Sequence, residues 1–280
     1  MKIIVTGSRG QLGSDVTAQL KKEGIEVIEA SLPEIDITDS KAVENLVAES
    51  RADGVIHCAA YTNVDLAESE KELCRKINVD GTLNIARSCK NHDIPLLFTS
   101  TDYVFSGEGN TPFETDSDKA PCNFYGESKL GGENAVIENC DKYFILRISW
   151  VFGENGKNFV KTMLRLAETK SEINVVADQI GSPTYTKDLA VLICQMIKSD
   201  KYGVYHATNE GFCSWADFAE KIMEYSDLPV KINRISSDEY KSAAVRPLNS
   251  RLSKKSLDKA GFCRLPDWQD ALKRFLSTEK

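Results

Sequence analysis

The chain has 280 residues, enough to bury a large core as one big domain or as a cofactor domain with a smaller companion. Its formal net charge of -7, with no block of Lys or Arg, offers nothing to neutralise a run of phosphates and excludes nucleic acid as a partner. Apolar stretches are strand-sized, which excludes a membrane span. The start enters a strand without the basic flank and apolar segment of a signal peptide, so a cytoplasmic protein is expected.

Ile3-Ile4-Val5 reads as a strand, followed by a helix that carries Leu12, Val16 and Leu20 on one stripe before Gly24. Val27-Ile28 reads as the second strand and Ser40 to Ser50 as a capped helix. Val55 to Cys58 and Leu96 to Phe98 give two further strands. Alternation of this kind predicts a parallel sheet. Tyr143 to Ile148 adds another strand, and Asn158 to Glu168 a helix with apolar Phe159, Met163, Leu164 and Leu166. From about residue 200 the periodicity loosens, and Trp215, Asn249, Arg251 and Trp268 fall among short elements. The eight cysteines include no C-x-x-C and the three histidines are scattered, so reduced packing thiols and no metal centre are expected.

Gly7, Gly10 and Gly13 follow the first strand and open the first helix, the context that gives a glycine pattern meaning. Glycines permit the tight turn and a close backbone approach, while free N–H groups and the helix dipole hold a pyrophosphate. Arg9, Gln11 and Leu12 of the same turn join them as expected cofactor contacts. The fold class is therefore α/β, a Rossmann-like doubly wound parallel sheet with a smaller mixed α/β C-terminal lobe. Residues 1–150 are expected to form the NAD(P)-binding domain, with a returning segment around 174–200, and residues 151–280 mainly a substrate-binding lobe.

A second signal is Tyr125-Gly-Glu-Ser-Lys129, in which phenol and ammonium four residues apart share one helix face. Ser100-Thr101-Asp102 follows a strand, so its hydroxyls emerge at the carboxyl edge where open α/β sheets bind ligands. A phenol of ordinary pKa about 10 is a sluggish proton partner at neutral pH, and a nearby ammonium favours phenolate. Lys129 is therefore expected to tune Tyr125. The plainer reading is a packed tyrosine and a solvated lysine.

The G-x-x-G-x-x-G spacing and the Thr101, Tyr125, Lys129 set resemble the extended short-chain dehydrogenase/reductase superfamily. The resemblance implies that Thr101 hydrogen-bonds the substrate oxygen, Tyr125 gives it a proton and Lys129 grips the nicotinamide ribose, with Ser100 beside the cofactor. It also implies that Asp36-Ile37 lie at the adenine and that Ala59, Ala60 and Tyr61 flank the dinucleotide. Ala30 and Ser31 stand where an acid would select the NAD ribose, Glu29 is one step off, and Arg9 could reach a 2′-phosphate. NADPH is expected, with NADH open.

Three segments narrow the resemblance, residues 59–68 (A-A-Y-T-N-V-D-L-A-E), residues 100–107 (S-T-D-Y-V-F-S-G) and Tyr125-Gly-Glu-Ser-Lys129-Leu, and later ones such as Arg246-Pro-Leu-Asn249-Ser-Arg251 agree with them. They resemble the dTDP-4-dehydrorhamnose reductase branch. That implies hydride transfer from NADPH to the C4 ketone of dTDP-4-dehydro-β-L-rhamnose, with substrate contacts at Thr62, Val64, Thr101, Tyr103, Tyr125 and Trp150. Arg246 and Asn249, with Arg251, are candidates for the nucleotide diphosphate. Relatives that use Mg²⁺ make Asp15 a candidate at a metal-linked interface, and a homodimer is an expected assembly. A dehydratase of the superfamily would carry Glu where Tyr103 stands. A sugar-nucleotide epimerase, and a non-catalytic subunit like the regulatory β subunit of methionine adenosyltransferase, stay open beside the reductase.

Overall fold

The computed structural model describes residues 1–279. In chain order, β1 (Lys2–Thr6), α1 (Gln11–Lys22), β2 (Glu26–Ala30), α2 (Ser40–Ser50) and β3 (Gly54–His57) open the fold. Short helices α3 (Val64–Ala67) and α4 (Lys71–Arg75) run through a π-helical turn into α5 (Thr82–Asn91), then β4 (Leu96–Thr101), α6 (Phe124–Asn139) and β5 (Tyr143–Ile148). The remainder comprises β6 (Val151–Phe152), α7 (Phe159–Ala167), β7 (Glu172–Val176), β8 (Ile180–Gly181), β9 (Thr184–Tyr185), α8 (Thr186–Ile197), β10 (Gly203–His206), β11 (Cys213–Ser214), α9 (Trp215–Tyr225), β12 (Lys231–Ile235), α10 (Lys255–Ala260) and α11 (Trp268–Thr278).

Six parallel strands form the central sheet in the order β10-β5-β4-β3-β1-β2. The chain leaves β1 toward β2 and then returns to β3 on the other side. That reversal opens a crevice beyond the carboxyl ends of β1 and β3, where doubly wound sheets bind ligands. The strands read as near-continuous apolar runs because both faces are covered. Ile3, Val5, Leu97, Phe144 and Leu146 pack against α1 and α8, whereas Ile4, Val55, Phe98 and Ile145 pack against α2, α5 and α6.

The second lobe has its own core of Phe152, Val160, Phe218, Ala271, Leu272 and Phe275. Its sheet content is fragmentary: β6 pairs with β9, β8 with β11 and β7 with β12. The segment that rejoins the main sheet is α8 and β10, spanning 186–206. β7, which overlaps the start of the stretch at 174–200 expected to return, pairs with β12 in the second lobe instead. No helix among the described residues is long and apolar enough to cross a membrane.

Candidate active site

The first turn is built around backbone crowding. Gly7 has φ +65°, and a Cβ there would fall 2.7 Å from the Ala59 nitrogen. A Cβ on Gly13 would strike the Gly7 carbonyl. Gly10 donates its N–H to that carbonyl at 2.9 Å and caps α1 without a side-chain bond, so the first N–H groups of the helix stay open. This is an anion-binding helix start.

A continuous cavity of about 1040 Å³ runs from this turn across the ends of β2, β3 and β4 to the edge of the second lobe. Gly7, Gly10, Gln11, Leu12 and Gly13 line its near end, Asp36, Ile37, Ala59 and Ala60 its middle, and Ser100, Thr101, Tyr103, Tyr125, Lys129 and Trp150 its far end. Thr62 and Val64 complete the far wall. The donors and shape fit a dinucleotide: open amides at one end, small residues just beyond β3, and polar side chains at the other end.

Gln11 reaches outside its own helix. Its Nε2 donates to the Val151 carbonyl at 3.1 Å, and its Oε1 accepts from Asn158 Nδ2 at 2.9 Å. The glycine turn is thereby bonded to the second lobe. Asp36 accepts the Thr38 N–H at 2.9 Å, a bond that holds its carboxyl below the usual range.

At the end of β2 no carboxylate lines the cavity; Ala30, Ser31 and Leu32 do. Glu29 is turned to Lys21 at 2.6 Å. Arg9 stands beside this corner but off the cavity wall, giving one bond to the Leu32 carbonyl at 2.9 Å and another to Glu34 at 2.6 Å. Tyr61 is also off the wall: its hydroxyl donates to Glu70 at 2.6 Å and its backbone N–H to Asn78. Of the expected cofactor contacts, these two are the ones the fold turns elsewhere.

At the reactive end, α6 begins under the Asn123 cap, whose side chain accepts the Gly126 N–H at 2.8 Å. Gly126 is pressed against the Tyr103 backbone, leaving no room for a side chain, and this fixes the Tyr125 ring edge-on to Tyr103 at 5.5 Å. Burial pushes the Tyr125 hydroxyl well above its ordinary range, the Asp102 carboxylate adds to the rise, and a hydrogen bond with Thr101 opposes it. Lys129 is 3% exposed and donates to the Thr99 carbonyl at 2.7 Å, with its ammonium 4.1 Å from the Phe98 ring centre. Burial lowers its pKa to about 8, and Glu133 opposes that fall.

The expected tuning of Tyr125 by Lys129 is therefore corrected. Spacing does put both on one helix face, but the ammonium is bonded to the edge of β4 and desolvation governs the phenol. Asp102 is a site residue that motif reading passes over. It is 3% exposed on the cavity wall, its Oδ1 accepts from Thr101 at 3.1 Å, and the Ser250 hydroxyl also bonds its carboxyl. Burial raises its pKa to about 6. The available signal is its place directly after Thr101 at a strand end. Lys76 and Lys157 also line the cavity, and no spacing marks them.

Trp150 adopts φ +49°, rare for a bulky residue, and its indole stacks on Trp215 at 3.7 Å and 14°. Arg246 and Asn249 lie off the cavity wall. The two terminal Arg246 nitrogens, Nη2 and Nη1, donate to Asp65 at 2.8 and 3.2 Å. Asn249, 2% exposed, donates to the Glu108 and Thr111 carbonyls and accepts from Arg251. In this structure these polar groups hold loops together, and neither Arg246 nor Asn249 lines the cavity. Asp15 is likewise internal, 7% exposed and accepting the Thr186 hydroxyl, which removes it from any metal-linked surface. No group of three or more His, Cys, Asp or Glu among the described residues is placed to hold a metal.

The family model for the RmlD substrate binding domain matches residues 1–280. A dTDP-4-dehydrorhamnose reductase of Sinorhizobium fredii is 36% identical over 99% of this chain and 97% of its own length. The chain belongs to the dTDP-4-dehydrorhamnose reductase family. The spore coat polysaccharide biosynthesis protein SpsK of Bacillus subtilis is 41% identical, covering 98% of this chain and 96% of that one. A crystal structure of the Bacillus anthracis reductase in complex with NADP superposes with TM-score 0.97 at 42% identity, over 99% of both chains. Likeness to a UDP-glucose 4-epimerase of Thermus thermophilus, at 19% identity and TM-score 0.83, shows the fold alone. The family thus sides with a reductase against an epimerase or a regulatory subunit.

Proposed function

We propose that this chain, as a member of the dTDP-4-dehydrorhamnose reductase family, uses NADPH to reduce the C4 ketone of dTDP-4-dehydro-β-L-rhamnose to dTDP-L-rhamnose. The observation that carries the reading is the placement of Thr101, Tyr125 and Lys129 on one cavity that begins at the open amides of α1. NADPH, when bound, supplies the hydride. Gly7, Gly10 and Gly13 with the start of α1 would hold its diphosphate, Ala59 and Ala60 just beyond β3 would flank it, and Ser100 and Lys129 would face its nicotinamide end. Absence of a carboxylate on the wall at Ala30 and Ser31 supports NADPH over NADH.

Tyr125 donates the proton to the developing C4 oxygen. Because burial raises its hydroxyl, the phenol stays protonated across the physiological range and is ready as an acid. Thr101, whose single hydroxyl proton goes to Asp102 when no substrate is present, turns that proton to the carbonyl oxygen to position it. Thr62, Val64, Tyr103 and Trp150 shape the sugar pocket, the two aromatic rings giving it apolar faces against a deoxysugar. Cytoplasmic placement follows from the use of NADPH and a nucleotide sugar. The test is loss of NADPH absorbance when the purified chain meets dTDP-4-dehydrorhamnose generated by coupled upstream enzymes, with NADH run in parallel. Unchanged absorbance with active upstream enzymes refutes the reading.

A further inference from the structure

Behind the reactive residues lies a buried ionic network that proton donation does not use. Glu133 is 1% exposed, Arg147 2% and Ser100 3%. Arg147 clasps Glu133 with both arms, Nε to Oε1 at 2.9 Å and Nη2 to Oε2 at 2.7 Å, and Ser100 adds its hydroxyl to Oε1 at 2.5 Å. The remaining guanidinium nitrogen donates to the Thr115 carbonyl at 2.9 Å and meets His206 Nε2 at 3.3 Å. A buried pair of this kind is a poor source of stability compared with apolar packing, so its presence calls for another account.

Its location supplies one. Glu133 sits on α6 one helical turn beyond Lys129 and two beyond Tyr125, on the same face. Ser100 immediately precedes Thr101 on β4, and Arg147 is on β5. One carboxylate therefore ties the helix that carries the phenol and ammonium to the strand end that carries the hydroxyl. The groups facing Lys129 are Glu133 from its own helix, Cys58 just beyond β3, Cys74 from α4, His57 at the end of β3, and the Phe98 ring from β4. Burial keeps both thiols protonated and His57 neutral, with its pKa near 3. Glu133 is the charged group among them that opposes the loss of the lysine proton.

We propose that Glu133 is a positioning residue of this reductase: it locks α6 to β4 through Ser100 and Arg147, and it keeps the Lys129 ammonium charged where the nicotinamide ribose binds. The proposal rests on the assignment of Lys129 to the cofactor, so its test reads cofactor binding separately from turnover. NADPH affinity of the purified full chain is measured by fluorescence from about pH 7 to about pH 10. In the native chain affinity falls as pH rises through the Lys129 ionisation at about 8. In Glu133→Gln, which keeps the shape and removes the charge, the fall comes at lower pH. A second variant, Glu133→Gln with Arg147→Met, removes the stranded guanidinium. It is expected to recover thermal stability while the fall stays displaced. A fall at the native pH in either variant overturns the proposal, because a merely structural network would leave the lysine where it was. Turnover of dTDP-4-dehydrorhamnose is followed in parallel: its absence in the native chain removes the reductase reading alone, whereas a native chain that does not bind NADPH removes both.

Discussion

Replacing Asp102 by Asn asks whether this reductase site holds a carboxylate at the expense of fold stability. Asp102 is 3% exposed, and burial raises its pKa from 3.8 to about 6 against the hydrogen bonds of the Ser250 and Thr101 hydroxyls. An acid whose folded pKa lies above its unfolded value binds more protons in the native state between those two values. Stability contributed by such a group is therefore greatest at low pH and falls as pH rises from about 4 through about 6. A shift of about two units, at 1.36 kcal/mol each, makes the ionised group cost about 3 kcal/mol at pH 7.5 as an upper value. Asn keeps an oxygen for the Thr101 hydroxyl and removes the charge, so the variant should gain about 1 to 3 kcal/mol at pH 7.5 and little at pH 4.5. Urea unfolding at both pH values measures the difference. A variant less stable than the native chain at pH 7.5, or a gain equal at the two pH values, refutes the reasoning.

Two further outcomes are expected. Tyr125→Phe removes the proton donor and leaves the cavity shape, so kcat should drop about 10² to 10⁴-fold while the NADPH dissociation constant stays within about twofold. Stopped-flow turnover and cofactor titration give the two numbers, and turnover within tenfold of native would take Tyr125 out of the mechanism. Glu34→Gln releases Arg9 from its ion pair at the end of β2. The freed guanidinium should raise the preference for NADPH over NADH several-fold, more at low salt than at high. An unchanged ratio of dissociation constants would show that Arg9 does not reach the 2′-phosphate.

The nucleotide half was legible because its signals are local and periodic. β1, the stripe of Leu12, Val16 and Leu20, and the crowded turn at Gly7 and Gly13 follow from short-range sterics that sequence states directly. Tyr125 and Lys129 were legible as a pair, yet the direction of Lys129 was not, because its partner is the Thr99 carbonyl on a strand far away in sequence. The buried face of α6 carries Ser128, Lys129 and Glu133, so it shows no apolar stripe. Strands of two residues such as β6, β8, β9 and β11 are too short to display alternation. Arg246 and Asn249 look like ligand-binding groups in sequence, and only the fold reveals that Asp65 and the loop carbonyls at Glu108 and Thr111 already occupy them. For Asp102, burial is what sets its charge, and burial is a property of the assembled lobes.

β10 lies at the edge of the main sheet, and α8 covers α1 with Leu189 and Ile193, although both elements follow much of the second lobe in the chain. During synthesis at about 5 to 20 residues per second, the nucleotide half consequently waits for residues far downstream before its last strand can dock. A nascent chain halted near residue 150 would expose the outer side of α1 and an unpaired edge on β5. The order in which the ribosome delivers this protein thus makes the two lobes partners in folding before they share a substrate.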